Sequence, residues 1–237
     1  MNLLKEFLLD DKCSYLDNKE QTTHYKIINN CDVLSCEALI ERGYRRFGKM
    51  YFRPICATCD ECQSIKIDVN NFTFSKSARR ILKKATEISA FIQRPNMTKE
   101  HIALFDKYHL YMHEKKGWDY SPASPDHYYN SFVAGEGDFG YEVVYYHQNK
   151  LIAVDLIDIL PNGVSSIYFY YDPEYTRYSL GKLSLYNQIK YAQESNKKWI
   201  YLGYYVKECP SLSYKSEYKP YLTLQGRPHE YEDFKWY

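Results

Sequence analysis

Three thiols stand at two-residue gaps in Cys56-x2-Cys59-x2-Cys62, directly after Tyr51-Phe52-Arg53-Pro54. Thiolates at that spacing in a turn can converge on one soft metal, as in zinc knuckles and iron–sulfur sites. Three ligands are one short of a closed site, and Cys13 or Cys31 would supply the fourth. The competing reading is three reduced, partly buried thiols. The full complement of seven cysteines suits a reducing compartment better than a disulfide framework. The apolar stretch Met1–Leu9 is interrupted by Lys5 and Glu6, unlike a secretory signal.

A second feature is charge. Between Arg42 and Lys84 lie eleven basic residues (Arg42, Arg45, Arg46, Lys49, Arg53, Lys66, Lys76, Arg79, Arg80, Lys83 and Lys84) against Asp60, Glu61 and Asp68, a segment charge of +8. The whole chain carries only +1, so the remainder stands at −7. A neutral total therefore hides a basic block able to form an anion-binding face. In Ser75–Ala85, Arg79, Arg80, Lys83 and Lys84 share one face of a short helix through i,i+4 spacing. Such a face supplies phosphate contacts, which give affinity without base information.

These groups must be positioned by a chain of 237 residues, enough for one large domain or two small ones. Apolar residues make up 45% and charged ones 26%, an ordinary globular balance. Mean hydropathy is −0.59, and no apolar run reaches the ~18 residues of a membrane span. The 27 tyrosines are in excess; codon bias or stacking surface would each produce it.

The first part reads as a small α/β unit. Thr23–Ile28 alternates like a strand, and Asp32 caps a helix over Val33–Arg42 that stops at Gly43. Strands are expected at Tyr51–Phe52, Ser64–Val69 and Glu87–Arg94. The second part opens with Thr98 as N-cap. Ile102, Phe105, His109 and Met112 then mark the inward stripe of a helix to about Lys116, with a further helix near Asp126–Ala134. Strand runs at Tyr141–Tyr146, Leu151–Leu160 and Val164–Tyr171 follow, and Asn162-Gly163 is a hairpin signal. A helix over Ser179–Glu194 and a strand at Trp199–Tyr205 complete the order α-α-β-β-β-α-β.

That order is the one seen in the GNAT acyltransferase fold. The fold class expected is α+β (mixed α/β), with a small unit in residues 1–95 and a GNAT-like domain with a mostly antiparallel sheet in 96–237. In such folds the link before the last helix holds the acyl carrier's phosphates. Here it reads Asp172-Pro173-Glu174-Tyr175-Thr176-Arg177-Tyr178-Ser179-Leu180-Gly181-Lys182, without the Arg/Gln-x-x-Gly-x-Gly/Ala pattern of coenzyme A enzymes. Backbone amides at the helix start still favour an anion.

Several motifs, in order, carry a resemblance. They are Cys13-Ser14-Tyr15-Leu16, Gly43-Tyr44-Arg45-Arg46-Phe47-Gly48, Arg53-Pro54-x-Cys56-x2-Cys59-x2-Cys62, Phe74-Ser75-x-Ser77-x-Arg79-Arg80, Tyr170-Tyr171-Asp172-Pro173, Ser179-Leu180-Gly181, Tyr201-Leu202-Gly203-Tyr204 and Ser213-Tyr214-Lys215-x2-Tyr218-x-Pro220. Over roughly residues 10–225 the chain resembles the bacterial short form of the arginyl-tRNA–protein transferase family, most closely its leucyl branch. The resemblance implies a cytoplasmic aminoacyltransferase of the N-end rule (N-degron) pathway of protein degradation. It would move leucine from leucyl-tRNA to the α-amine of proteins with N-terminal Asp or Glu. Its partners would be tRNA and protein, with no membrane and no DNA.

An aminoacyl ester is already activated, and an α-amine with pKa ~7.7–8 is partly neutral at pH 7. The enzyme needs to position amine against ester, hold the oxyanion and neutralise the acceptor's acidic side chain. No cofactor is required for this; a structural iron–sulfur cluster or zinc on Cys13, Cys56, Cys59 and Cys62 is the one such group that the residues suggest. Arg45, Arg46 or Lys215 would pair with the substrate carboxylate. Tyr168, Tyr204, Tyr214 and Tyr218 would orient ester or amine, and Asp158 would accept from the ammonium or else serve as a turn residue. Phosphates of the tRNA would lie on Arg79, Arg80, Lys83, Lys84, Arg177, Ser179 and Gly181. The histidines show no metal spacing and read as structural or surface residues. Rival readings are an arginine donor, a small-molecule N-acetyltransferase and a metal-containing RNA-binding module without catalysis.

Overall fold

The computed structural model describes all residues from 1 to 237. Two sheets organise it. The first is antiparallel, with β1 (Asn2–Lys12), β2 (Glu20–Asn29), β3 (Arg45–Phe47) and β4 (Met50–Pro54) in the order β1-β2-β4-β3. Helix α1 (Val33–Glu41) lies between β2 and β3 in sequence, and the Asp32 carboxylate accepts the Ser35 N–H at 2.9 Å to start it. The second sheet has seven strands in the order β11-β5-β10-β9-β8-β7-β6. These are β5 (Gln63–Asp68), β6 (Ile88–Gln93), β7 (Gly140–His147), β8 (Lys150–Ile159), β9 (Gly163–Tyr171), β10 (Trp199–Tyr205) and β11 (Tyr221–Thr223). Every pairing in it is antiparallel except β9 with β10.

Strands β5 and β6, from the segment 1–95, therefore complete the sheet built by 96–237. The boundary between the two sheets falls between Pro54 and Gln63.

The β7–β8 turn places Gln148 and Asn149 at φ +49° and +66°, the left-handed pair of a two-residue hairpin. Asn162-Gly163 does turn the chain between β8 and β9, but neither residue needs a positive φ. Gly163 is required by crowding: a Cβ there would meet the Trp199 carbonyl oxygen at 2.6 Å.

Helices α2 (Lys76–Lys84) and α5 (Leu180–Glu194) cover one face of the seven-stranded sheet, around Ile65, Ile67, Ile152, Leu183 and Ile189. Helix α3 (Lys99–Lys116) covers the other, with α4 (Pro125–Tyr128) and the π-helical turn Tyr129–Val133 beside it. The buried stripe of α3 is His101, Leu104, Phe105, Tyr108 and Met112. It is rotated from the expected stripe, so Ile102 and His109 come to its rim, half-buried. Much of the tyrosine excess is core: Tyr51, Tyr128, Tyr145 and Tyr170 are fully enclosed, and the hydroxyls of Tyr128 and Tyr170 bond each other at 2.7 Å. A short helix α6 (Pro210–Ser213) and a 3-10 turn (Tyr214–Glu217) link β10 to β11. No helix is long and apolar enough to cross a membrane.

Candidate active site

Strands β9 and β10 run parallel but pair only at Gly163–Trp199, Val164–Ile200 and Ser165–Tyr201. Beyond that the pair opens into a fork. On its other side β10 slips register against β5 between Tyr201 and Tyr204, where Gly203 stands at φ +72°.

Arg45 of β3 enters this fork from the first sheet. Its Nη2 donates to the Ile167 carbonyl at 2.7 Å. The side chain lies so close on Gly203 that a Cβ there would be 2.5 Å from Arg45 Nε. The guanidinium stands 5.9 Å from the ring centres of both Phe47 and Tyr204. It is half-buried, and no carboxylate pairs with it. A planar cation with donors to spare is suited to grip a carboxylate.

Its neighbour behaves in the opposite way. Arg46 is buried, donating from Nε and Nη2 to the two oxygens of Asp158 at 3.0 and 2.5 Å and from Nη1 to the Gly48 and Gly135 carbonyls. Against the pull of burial, Asp158 holds this guanidinium above its ordinary range. The expectation that Arg46 meets the substrate carboxylate, and Asp158 the ammonium, is therefore corrected: each has the other as partner and neither is open. Alternation along β3 explains the difference, since Arg45 and Phe47 share one face and Arg46 takes the other.

Tyr168 follows Ile167 on β9. Its hydroxyl lies 2.8 Å from Nε2 of His109, whose Nδ1 is 2.8 Å from the Phe105 carbonyl. A carbonyl only accepts, so Nδ1 carries the proton and Nε2 accepts from Tyr168. Burial pushes the His109 imidazole below its ordinary value, with the Phe105 carbonyl pulling part of the way back. Burial raises the Tyr168 phenol, opposed by Arg45. Sequence reasoning missed His109; its place on the 3,4,3 spacing of α3 was the available signal.

Tyr214 is exposed and lies within the field of Arg45. Lys215 is buried, and its Nζ donates to the Tyr204 carbonyl at 2.6 Å. Burial first, and then Arg45, push its ammonium well below the ordinary range. A buried group whose Nζ is already engaged by a backbone carbonyl is not open to a substrate carboxylate, which corrects that role for Lys215. Tyr204 and Tyr218 are also corrected. The Tyr204 hydroxyl is buried and donates to the Phe52 and Gly43 carbonyls at 2.9 and 3.3 Å, tying β10 to the first sheet. Tyr218 is buried against Tyr186 in the core.

The basic residues of α2 lie on its open surface. Arg79, Arg80, Lys83 and Lys84 are exposed, while Ala78 anchors the helix and the Ser75 hydroxyl accepts its N–H at 3.1 Å. Lys84 Nζ donates to the Arg177 carbonyl at 2.8 Å, joining this helix to the turn Pro173–Tyr178 before α5. Arg177, Ser179 and Gly181 are exposed there. Ser179 sits at φ +55° and starts α5 without a side-chain cap.

The cysteines divide. Cys31 and Cys36 are buried with α1 in a separate core, which removes Cys31 as a fourth ligand. Burial, with Cys13, Cys56 and Cys59 nearby, pushes the Cys62 thiol up to about 12. These four thiols share one neighbourhood, a donor set that soft metals favour. They are not arranged to hold an ion: no group of three or more His, Cys, Asp or Glu side chains in the structure is.

The chain thus has a two-sheet α+β fold with GNAT-like element order and a fork that holds the Arg45 guanidinium. The comparisons specify its family. Residues 11–80 match the family described as arginine-tRNA-protein transferase, N terminus, and residues 100–225 match its C terminus. An aspartate/glutamate leucyltransferase of Campylobacter jejuni is 48% identical over 225 residues, covering 95% of this chain and 94% of its own. Another of that name from Helicobacter hepaticus is 40% identical, covering 98% and 97%. Among solved structures, FemX overlaps 84% of this chain and 79% of its own at 9% identity and TM-score 0.45. The chain belongs to the arginine-tRNA-protein transferase family, and it is a transferase.

Proposed function

We propose that this protein transfers leucine from leucyl-tRNA to the α-amine of proteins beginning with Asp or Glu, marking them for degradation by the N-end rule in the cytoplasm. The observation that carries the reading is the unpaired Arg45 guanidinium in the fork, one residue on β9 away from the Tyr168–His109 pair. The names of the relatives support leucine as donor and the acidic residues as acceptors.

In this mechanism Arg45 grips the acceptor's side-chain carboxylate and thereby fixes its α-amine. The Tyr168 O–H points to His109, which leaves the oxygen lone pairs free to accept an N–H from the amine. The neutral amine attacks the ester carbonyl, the N–C bond forms and the ester C–O bond breaks. The ribose oxygen leaves with the proton released by the amine. Positioning supplies most of the acceleration, because the ester is already activated. The exposed α2 face and the start of α5 take tRNA phosphates.

An arginine donor would need a carboxylate open to it. Asp158 is taken by Arg46, and Glu41 by Lys66 at 2.8 Å and by the Tyr201 hydroxyl, so neither is open to it. Zinc or an iron–sulfur cluster on Cys13, Cys56, Cys59 and Cys62 would require those side chains to move together. Elemental analysis of protein purified without air tests that loading.

The deciding assay offers Glu-, Asp- and Gln-started peptides with tRNAs carrying labelled Leu, Arg or Phe. Label from Leu on the Glu and Asp peptides is expected. Transfer from Arg alone would overturn the donor, and tRNA binding with no transfer would favour an RNA-binding module.

A further inference from the structure

The open face of the first sheet carries a row of side chains in direct cross-strand register. Phe7 on β1 is opposite Tyr25 on β2, Tyr25 is opposite Phe52 on β4, and Phe52 is opposite Arg45 on β3. Successive ring centres are 5.2 and 6.0 Å apart, and the first pair is nearly parallel at 15°. Phe47, 5.3 Å from Phe52, carries the series on to Tyr168 at 6.1 Å. The row thus runs from the outer edge of the sheet to the fork.

A structural role explains it poorly. Phe7, Tyr25 and Phe52 belong to none of the three buried cores, and all are half-exposed. Each of the three rings stays partly open to solvent. The charges on this face are mostly cationic. Lys5 Nζ stands 4.9 Å from the centre of the Phe7 ring, and Lys49 projects from the β3–β4 turn beside a groove of about 840 Å³ lined by Ile27, Phe47 and Met50. Two carboxylates are near: Asp11, of the same strand parity, stands at the far end, accepting the Lys12 N–H, and Glu136, paired with Arg94, lines the same groove as Lys49. Aromatic faces interleaved with cations form the chemistry that holds single-stranded nucleic acid, the rings stacking on bases and the cations meeting the backbone.

We infer that the row Phe7–Tyr25–Phe52 is the platform on which the unpaired 3′-terminal nucleotides of the donor tRNA stack, guiding its aminoacyl ester to Arg45 and Tyr168. The inference rests on the reading above, that an aminoacyl-tRNA is the donor. It separates two parts of RNA recognition: phosphates of the body on α2, and bases of the single-stranded end on this sheet. The stacking is sequence-tolerant, because every base offers a π-face.

The test measures binding of intact tRNA and of the same tRNA trimmed of its 3′-terminal nucleotides by full-length Tyr25→Ala, Phe52→Ala and Tyr25→Phe proteins. Wild type is expected to prefer intact tRNA. Each alanine variant should weaken intact tRNA about tenfold while leaving trimmed tRNA unchanged, and Tyr25→Phe should restore the preference. Phe7→Ala, on the outer strand, gives the same readout without touching the interior of the sheet. Equal loss for both RNAs, or no loss for either, would overturn the platform. So would an unchanged tRNA affinity with a raised KM for the acceptor, which would make the face a peptide groove. If wild type bound no tRNA at all, the failure would lie with the proposed donor.

Discussion

Arg45 lies directly over Gly203, so close that the backbone of β10 leaves no room for a side chain between them. A residue of the first sheet is thereby seated in a gap of the second, and its one hydrogen bond goes to a β9 carbonyl. The free donors of the guanidinium are what the fork offers a ligand. Arg45→Ala should cost about 2 kcal/mol in acceptor recognition, roughly 30-fold in kcat/KM for a Glu-started peptide. The slower reaction of a Gln-started peptide should hardly change. Gly203→Ala should mimic it, by displacing the guanidinium. Equal losses on both peptides would show that Arg45 does not read the acidic side chain.

The Arg46–Asp158 pair should matter for folding rather than selection. Both groups are buried, so Asp158→Ala leaves a cation without its partner and should cost about 3–5 kcal/mol in a urea titration. A stable but inactive Asp158→Ala protein would return Asp158 to the catalytic machinery.

The His109–Tyr168 pair gives an acid limb. His109 is held below its ordinary value of 6.5 by burial, so the unfolded chain binds the proton more readily. Its contribution to stability is fully present above pH 6.5 and falls as the pH drops through and below that value. Protonated His109 also cannot accept from Tyr168, so transfer by the folded protein should fail lower still, as the pH falls through the depressed value of the buried imidazole. His109→Gln should flatten the acid limb of the melting temperature and remove from kcat/KM the extra fall beyond that set by protonation of the acceptor amine. An unchanged profile would remove the pair from the mechanism.

Charge reversal at Arg79 and Arg80 should leave the melting temperature within a degree or so, since both side chains are exposed. It should weaken tRNA binding and reduce the salt slope by about 2, near one unit for each lost phosphate contact. Unaltered affinity from low to high salt would make α2 a merely solvated face.

The element order was legible because caps and periodicity are local. Asp32, Ser75 and Thr98 each cap the helix that follows them, and the alternation in β2 was plain from its residues. Strand β1 was not, since its leucines fall on both faces and ten of its eleven residues are exposed. The site was legible only by residue type. Nothing local distinguishes Arg45 from Arg46, and only their opposite faces on a three-residue strand do so. His109 was hidden in the same way, because its role depends on Tyr168, which is 59 residues away.

The place of β5 has a consequence for biosynthesis. It lies inside the seven-stranded sheet, between β11 and β10, although it is made long before either. A nascent chain that has produced only its first half holds a strand with no neighbour on either side, and β6 waits likewise for β7. The transferase sheet can close only when nearly the whole polypeptide has left the ribosome. A fragment beginning near residue 96 would lack β5 and β6 and bare the edges of β10 and β7. For this chain, synthesis arrested midway leaves a template for aggregation rather than a half-working enzyme.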